Sequence, residues 1–462
     1  MYGKKCVEMS QPLTQEERFK NLTTEPIHEL ILSLAPPTII TQLITTLYNL
    51  VDTYFVSQLG TSASAAVGIV LSLMGIIQTI GYTFGTGSGV CISKFMGEKN
   101  REEAGRYAST AFALAFGTGL LLMVFGLIFL DPLVYAMGAT DTIFPYAREY
   151  TKYILLGSPY MVCTFVLNVQ MRNQGNAFFS MLGVASGCIL NLFLDPLFIF
   201  VLDMGIQGAA LATILSQFIS FVLLLFYCQT REVNLTLRVR DVRPSGRMLK
   251  QVLANGFPSF CRQGINSLSA VVMNRCAAPF GDAAIAALTI TQRVVGFVSA
   301  VVIGFGQASQ PVFGFNYGAR NYKRIRETYD FCMKLAVGIL VAVAVGLLIF
   351  APQVITLFRA DDAEVIEIGT RAMRCQALLM PVESVAIVGS MLMQLTHKPL
   401  RAATVSMARK GLFFIPCMYL MPAFLGLNGL VWAQPVADIF TFILTVPLTV
   451  SVLRELKTEL AA

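Results

Sequence analysis

The sequence predicts an all-α integral membrane protein of twelve transmembrane helices, in two six-helix lobes related by a pseudo-twofold axis along the membrane normal. Three observations carry this reading. Of the 462 residues, 55% are apolar and only 13% are charged, with a mean hydropathy of +0.66; a soluble protein would carry about 25% charged residues. Apolar runs of about 20 residues, the length with which a helix crosses a bilayer, recur along the whole chain. The chain also repeats itself: shifted forward by 221 positions, residues 37–213 land on a second copy. Pro37 falls on Pro258, Gly60 on Gly281, Phe84-Gly85 on Phe305-Gly306, Ser88 on Ser309, Asn100 on Asn321 and Gly208 on Gly429. Almost no gaps are needed, so the halves share one architecture.

The spans fall near 32–57, 64–88, 108–130, 150–170, 178–201, 206–228, 252–277, 284–309, 331–351, 370–394, 405–424 and 428–452. No strand-like alternation interrupts them, and at this length helix satisfies the backbone in lipid. Residues 1–30 form a cytoplasmic N-terminal segment. Its first 27 residues are mostly polar, with Lys4, Lys5, Arg18 and Lys20 against Glu16, Glu17 and Glu25; they read as partly interfacial helix, with no cleavable signal peptide. The N-lobe then covers 31–228, a basic cytoplasmic linker 229–251, and the C-lobe 252–453.

Orientation follows from the loops. Connections after even-numbered spans are basic: Lys94, Lys99, Arg101 and Arg106, then Arg172, then Arg231 to Lys250. The second half repeats this with Arg320, Lys323, Arg324 and Arg326, then His397, Lys398, Arg401, Arg409 and Lys410. Connections after odd-numbered spans are nearly free of Lys and Arg, so both termini are expected in the cytoplasm. Six spans per half make the repeats parallel. The net charge of +7 is then a topogenic signal directed at anionic lipid headgroups, not at nucleic acid. The short loops and absent targeting signals point to a bacterial plasma membrane.

Enzyme chemistry finds little footing. The ten cysteines include no C-x-x-C pair and read as small core residues. His28 and His397, the only histidines, sit near the cytoplasmic boundary, which leaves no histidine metal site or Ser-His-Asp arrangement at membrane depth. The glycines around 85–89 follow no strand and read as close helix packing. No cofactor is expected, and the chain is read as a monomer.

The informative residues are those the two copies do not share. Asp52 falls on Met273, Asn191 on Leu412, Asp195 on Pro416 and Thr213 on Gln434. Asp52, Asp195 and Thr213 lie on three spans, each roughly 8–12 Å below the outer helix ends at about 1.5 Å per residue. Asn191 precedes Asp195 by one helical turn and shares its face. Pro196 cannot donate and frees the Leu192 carbonyl. One Asp near a helix end could simply reach interfacial water. Four oxygen-bearing residues at matched depth instead make a hard shell suited to a cation such as Na⁺, or to a shared proton.

These residues resemble a known pattern. Pro37, Asp52, Asn191-x-x-x-Asp195 and Thr213, with the segments VDTYFVSQLGTSASAAVGI and GTGSGVCISKFMGEKN, are similar to the multidrug and toxic compound extrusion (MATE) family from about residue 30 to 452. The resemblance implies export of cationic or amphipathic drugs driven by inward Na⁺ or H⁺, the coupling ion. It carries coupling-site roles onto Asp52, Asn191, Asp195 and Thr213, with the Ala209 carbonyl as an extra ligand. It makes Pro37 the conformational hinge of the first span, where a proline leaves a soft point. Alternating access would proceed by rocking of the two lobes.

The C-lobe departs from some members of that family, since span seven holds no carboxylate. It carries Arg262, Gln263 and Asn266, and span ten carries Glu383. Arg262 and Glu383 are placed at comparable depth and read either as a structural ion pair or as a substrate or proton site. Arg172, in NVQMRNQGN, reads as a topogenic charge or part of a cytoplasmic gate. The 33 phenylalanines and 20 methionines suit either a greasy cavity wall or a lipid-facing surface. The rival function is a lipid-linked oligosaccharide flippase of the same superfamily, which would need several uncompensated arginines and no oxygen cage.

Overall fold

The computed structural model describes residues 14–229, 235, 237–359 and 362–461, and among these it contains helices and turns and no strand. Lys4, Lys5 and Arg231 lie outside the described residues. A short helix, α1 (Gln15–Thr24), comes first. The Thr14 side chain accepts from the Glu17 N–H while the Glu17 carboxylate accepts from the Thr14 N–H at 2.8 Å, a reciprocal cap that satisfies two otherwise orphaned donors. The Thr14 N–H, joined by the Thr14 hydroxyl donating to the same carboxylate at 2.9 Å, holds the Glu17 carboxyl below its usual pKa. Helix α1 lies against protein: Arg18 is buried, and the Lys99 ammonium sits 4.9 Å from the Phe19 ring centre. Gly175 (φ +83) faces it, where a Cβ would come within 3.0 Å of Arg18 Cδ.

The first repeat follows as α2 (Ile27–Ser57), α3 (Thr61–Gly97), α4 (Arg101–Ile128), α5 (Leu130–Ala136), α6 (Phe144–Asn173), α7 (Ala177–Pro196) and α8 (Gly205–Gln229). A π-turn, Leu197–Val201, extends α7. The second repeat is α9 (Gly246–Ala277), α10 (Asp282–Gly318), α11 (Tyr322–Phe358), α12 (Ala363–Leu395), α13 (Pro399–Met407) and α14 (Phe414–Ala461), with a π-turn at Ala408–Leu412. The run α14 is two helices joined at Gly426, whose φ of 57 and ψ of −138 break the helical path.

Ten segments of the described residues are long and apolar enough to cross a membrane. The last of them, Pro399–Thr458, contains that break and holds two spans. Helix α9 is missing from the ten because Arg262, with Gln251, Asn255, Gln263, Asn266 and Asn274, depresses its hydropathy. With both allowed for, the twelve expected spans are all present as helices, some of them extending beyond the apolar run by two turns or more.

The repeat survives in the backbone. Helices α3 and α10 have 37 residues each and begin and end at the same offset. The positive φ angles of Gly60 and Gly281, Lys99 and Arg320, and Gly205 and Gly426 fall on matched positions.

The chain divides into two compact units. One holds α1 and Pro36–Gly256; the other holds Pro26–Ala35 and the chain from Phe257 onward. The two crossing points, Ala35|Pro36 in α2 and Gly256|Phe257 in α9, are related by the repeat offset. In the N-terminal unit α6 is the most buried span and packs against α3, α4 and α8; in the C-terminal unit α12 plays that part against α10, α11 and α14. The glycines at 85–89 act in close packing: a Cβ on Gly85 would meet Val169 Cβ at 3.1 Å, and one on Gly89 would meet Asn173 at 2.6 Å. The nine described cysteines are free thiols.

At the end of α6 the buried amides tie elements together. Asn168 Nδ2 donates to Ser180 Oγ at 2.7 Å and Gln170 Nε2 to Ser88 Oγ at 3.0 Å. Arg172, expected as a loop charge or gate, is buried there beside Asn168. The polar stretch after α8 is pinned to the same unit: Leu235 N–H donates to Gln174 Oε1 at 3.0 Å, Arg238 N–H to Ser109 Oγ at 3.1 Å and Arg243 N–H to Thr110 Oγ1 at 3.2 Å.

Candidate functional site

In the N-terminal unit Asp52 on α2, Asn191 and Asp195 on α7, and Thr213 on α8 are all buried. Asn191 Nδ2 donates to Asp195 Oδ1 at 3.0 Å, as their one-turn spacing requires. The Asp52 and Asp195 carboxyls are close neighbours. Ala209 is buried one turn before Thr213 on the same helix. The π-turn directly follows Asp195-Pro196; such turns re-aim the ladder and recur at functional sites.

The decisive feature is what these oxygens lack. Asp52 Oδ1, Asp195 Oδ2 and Thr213 Oγ1 are buried with no hydrogen-bond partner. Buried acceptors are rarely left so, because each costs about 1–3 kcal/mol. Two desolvated carboxylates side by side also repel one another. The donor set fits a monovalent hard cation or a shared proton: two carboxylates, hydroxyls and no third acidic group. Among the described residues no cluster of three or more His, Cys, Asp or Glu exists.

Two tyrosines join this site that the sequence reading missed. The Tyr48 and Tyr150 hydroxyls face Thr213 and neighbour Asp52, and both are buried without a partner. Tyr48 stands one turn before Asp52 and could have been found by helical spacing. Tyr150 comes from α6, and nothing in sequence spacing brings it here. Tyr48 also lines a cavity of about 310 Å³ within this unit, with Thr45, Met74, Gln78, Phe165, Asn168 and Gln217. Its walls are apolar and aromatic with a few amides and hydroxyls and no charge, the character of a small-molecule site.

The C-terminal unit differs from expectation. Glu383 accepts from the Arg409 guanidinium, a partner the sequence reading did not give it. Arg409 Nε also donates to Asp438 Oδ1 at 3.0 Å, and Ser299 Oγ to Glu383 Oε1 at 2.7 Å. The next residue, Lys410, donates to Gln434 Oε1 at 3.1 Å and Gln292 Oε1 at 3.2 Å. Arg409 and Lys410 are therefore not loop charges. They sit in the π-turn Ala408–Leu412 between α13 and α14, whose extra residue per turn re-aims their side chains toward α12 and α14. Arg262 and Gln263 are half-buried on α9 and Asn266 is exposed.

The comparisons agree with this architecture. The family model MatE matches residues 37–197 and 258–420, one match in each repeat. The multidrug export protein MepA of Staphylococcus haemolyticus (strain JCSC1435) is 24% identical over 425 residues, covering 92% of this chain and 93% of that protein. A crystal structure of MATE in complex with MaL6 is similar with a TM-score of 0.90 and 26% identity, over 95% of this chain and 99% of that one. The outward-facing conformation of a multidrug resistance MATE family transporter of the MOP superfamily gives 0.89 and 27%, over 95% and 98%.

Proposed function

We propose, from the premise that the chain belongs to the MatE family of multidrug transporters, that it exports cationic and amphipathic compounds by antiport against Na⁺ or H⁺. The observation that carries this reading is the buried Asp52–Asp195 pair with three unpartnered oxygens around it. Such a pair is costly when empty and relieved when it takes a cation or a proton, which makes it a loadable group.

Asp52 and Asp195 take up the ion in the outward state, with Asn191 bracing Asp195 and Thr213, Tyr48 and Tyr150 supplying hydroxyls. The Ala209 carbonyl is a further ligand. Tyr48 belongs to the cation site and to the cavity wall together, so loading the one can reshape the other. Pro37 is the hinge. Its position removes a backbone hydrogen bond inside α2, and the unit boundary falls next to it. Exchange by alternating access needs drug and ion to prefer different states; ligands with no such preference would not be coupled.

We place the protein in a bacterial plasma membrane as a monomer, with both termini cytoplasmic, lobes at 31–228 and 252–453 and the linker 229–251 between them. A flippase for a lipid-linked pyrophosphate would need uncompensated cations; the cation at Glu383 is matched instead by two carboxylates.

The test is export of a fluorescent cationic dye from energised vesicles, with Na⁺ and H⁺ gradients imposed separately. Wild type should export under one of them, and Asp52→Asn should not, while remaining folded. Absence of export by wild type under both gradients would refute the reading.

A further inference from the structure

The C-terminal unit contains a small cavity of about 10 Å³, bordered by Met273, Gln292, Ala372, Phe414, Leu430 and Gln434. Three of these are the repeat counterparts of residues at the N-terminal cation site: Met273 of Asp52, Leu430 of Ala209 and Gln434 of Thr213. The cavity is therefore the second copy of that site, and it has lost both carboxylates of the first. A space of this size admits about one water at most.

Three of its lining residues, Gln292, Phe414 and Gln434, hold an ammonium. Lys410 Nζ donates to the amide oxygens of Gln434 and Gln292, and it lies 5.5 Å from the centre of the Phe414 ring, a cation–π distance. The two glutamines direct oxygens at a positive charge, as ligands of a metal ion would. Around them the charges balance: Arg409 and Lys410 against Glu383 and Asp438. Gln434 Nε2 donates to Asp438 Oδ1 at 2.9 Å, which turns its oxygen toward Lys410. The Lys410 carbonyl accepts from Ser269 Oγ, and Ser269 is the counterpart of Tyr48.

We propose that the Lys410 ammonium is a tethered cation that permanently fills the C-terminal copy of the cation site, so that this unit takes no ion from solution. Removing the ammonium uncovers a latent site for a monovalent cation or proton, lined by the Gln292 and Gln434 oxygens. Its negative charge would come from Glu383 and Asp438, with only Arg409 left to oppose them. The inference rests on the reading of Asp52 and Asp195 as the ion site of the other copy.

The experiment measures thermal unfolding of the purified full chain, in Na⁺, Li⁺ or choline at constant ionic strength and at two pH values on either side of neutrality. A ligand that binds only the folded state raises the unfolding temperature with its concentration. Wild type should respond and the Asp52→Asn/Asp195→Asn variant should not; equal responses would defeat the N-terminal site reading alone. In that silent background, Lys410→Met should restore a rise in unfolding temperature that grows with Na⁺, Li⁺ or proton concentration. Lys410→Arg, which keeps a fixed charge, should restore none and, in the otherwise wild-type chain, should retain gradient-driven export. A folded Lys410→Met background that gains no response overturns the proposal. If Lys410→Met does not fold, the Lys410→Arg transport assay decides: loss of export in a folded Lys410→Arg chain means that the lysine does something a fixed charge cannot.

Discussion

In the N-terminal unit Asp52 and Asp195 are buried together with an amide and three hydroxyls, and three of their acceptor oxygens have no partner. In the C-terminal unit Glu383 and Asp438 are just as buried, but Arg409 bridges them, and Lys410 and Gln434 complete the network. Both units hold two carboxylates inside apolar helices. One shows no matching counter-charge; the other carries it on its own chain. Carboxylate burial alone therefore does not support an ion site, and it is the unmatched charge on which the proposed site rests.

That contrast is most sharply broken at Arg409. Arg409→Met strands Glu383 and Asp438 and should destabilise the protein by about 3–5 kcal/mol, read as a large fall in unfolding temperature. Adding Glu383→Gln and Asp438→Asn should recover most of the loss. The N-terminal unit should respond with the opposite sign. Asp195→Asn removes like-charge repulsion, so the unfolding temperature without cations should rise. Ion affinity should meanwhile fall about 10- to 100-fold, following the roughly 1.5–3 kcal/mol of a charged ligand contact, and gradient-driven dye export should be lost. Loss of stability in Asp195→Asn would mean that its carboxylate is structural.

Much of this was legible in the sequence. The spans could be read because lipid imposes length and hydropathy directly, and the repeat because identical small and turn-forming residues hold identical offsets. Asp52, Asn191, Asp195 and Thr213 stood out because polar groups inside apolar runs are rare and the second copy omits them. Arg409 and Lys410 did not stand out. A basic residue near the start of an apolar run reads equally as a topogenic charge, and only the π-turn at Ala408–Leu412 reveals that it turns inward. Without that turn nothing in the sequence links Arg409 to Glu383 or to Asp438. The tyrosine hydroxyls and the division of α2 and α9 between units depend on long-range packing, which spacing along one helix does not encode.

A milder comparison concerns how the copies pack. Gly256, at the end of the α9 segment that belongs to the N-terminal unit, approaches α3 so closely that a Cβ would lie 2.1 Å from the Thr83 carbonyl oxygen. Gly87 makes the reciprocal approach, with a Cβ position 2.0 Å from the Val252 oxygen. Their repeat counterparts are Ala35 and Ala308, so only one copy places glycines at this point. Gly256→Ala should cost about 1–3 kcal/mol through overpacking, detected by thermal unfolding. An unchanged unfolding temperature would show that the approach relaxes freely.

The smallest expected effect tests whether the hydroxyls added by Tyr48 and Tyr150 belong to the proposed ion site or merely pack beside it. Tyr150 is wholly buried, and its OH has no partner; its repeat counterpart, Arg371, is exposed and bonded to Asn428. Tyr150→Phe keeps the ring and removes only an unsatisfied polar atom, so without cations stability should stay level or rise by about 0.5–1 kcal/mol. If the hydroxyl contacts the ion, the same variant should bind it several-fold more weakly, and the stabilisation by added ion should shrink. The two readouts then move in opposite directions, as they should for Asp195→Asn but on a smaller scale. A Tyr150→Phe chain with lower intrinsic stability and an unchanged ion response would remove Tyr150 from the site and leave Thr213 and the two carboxylates to define it.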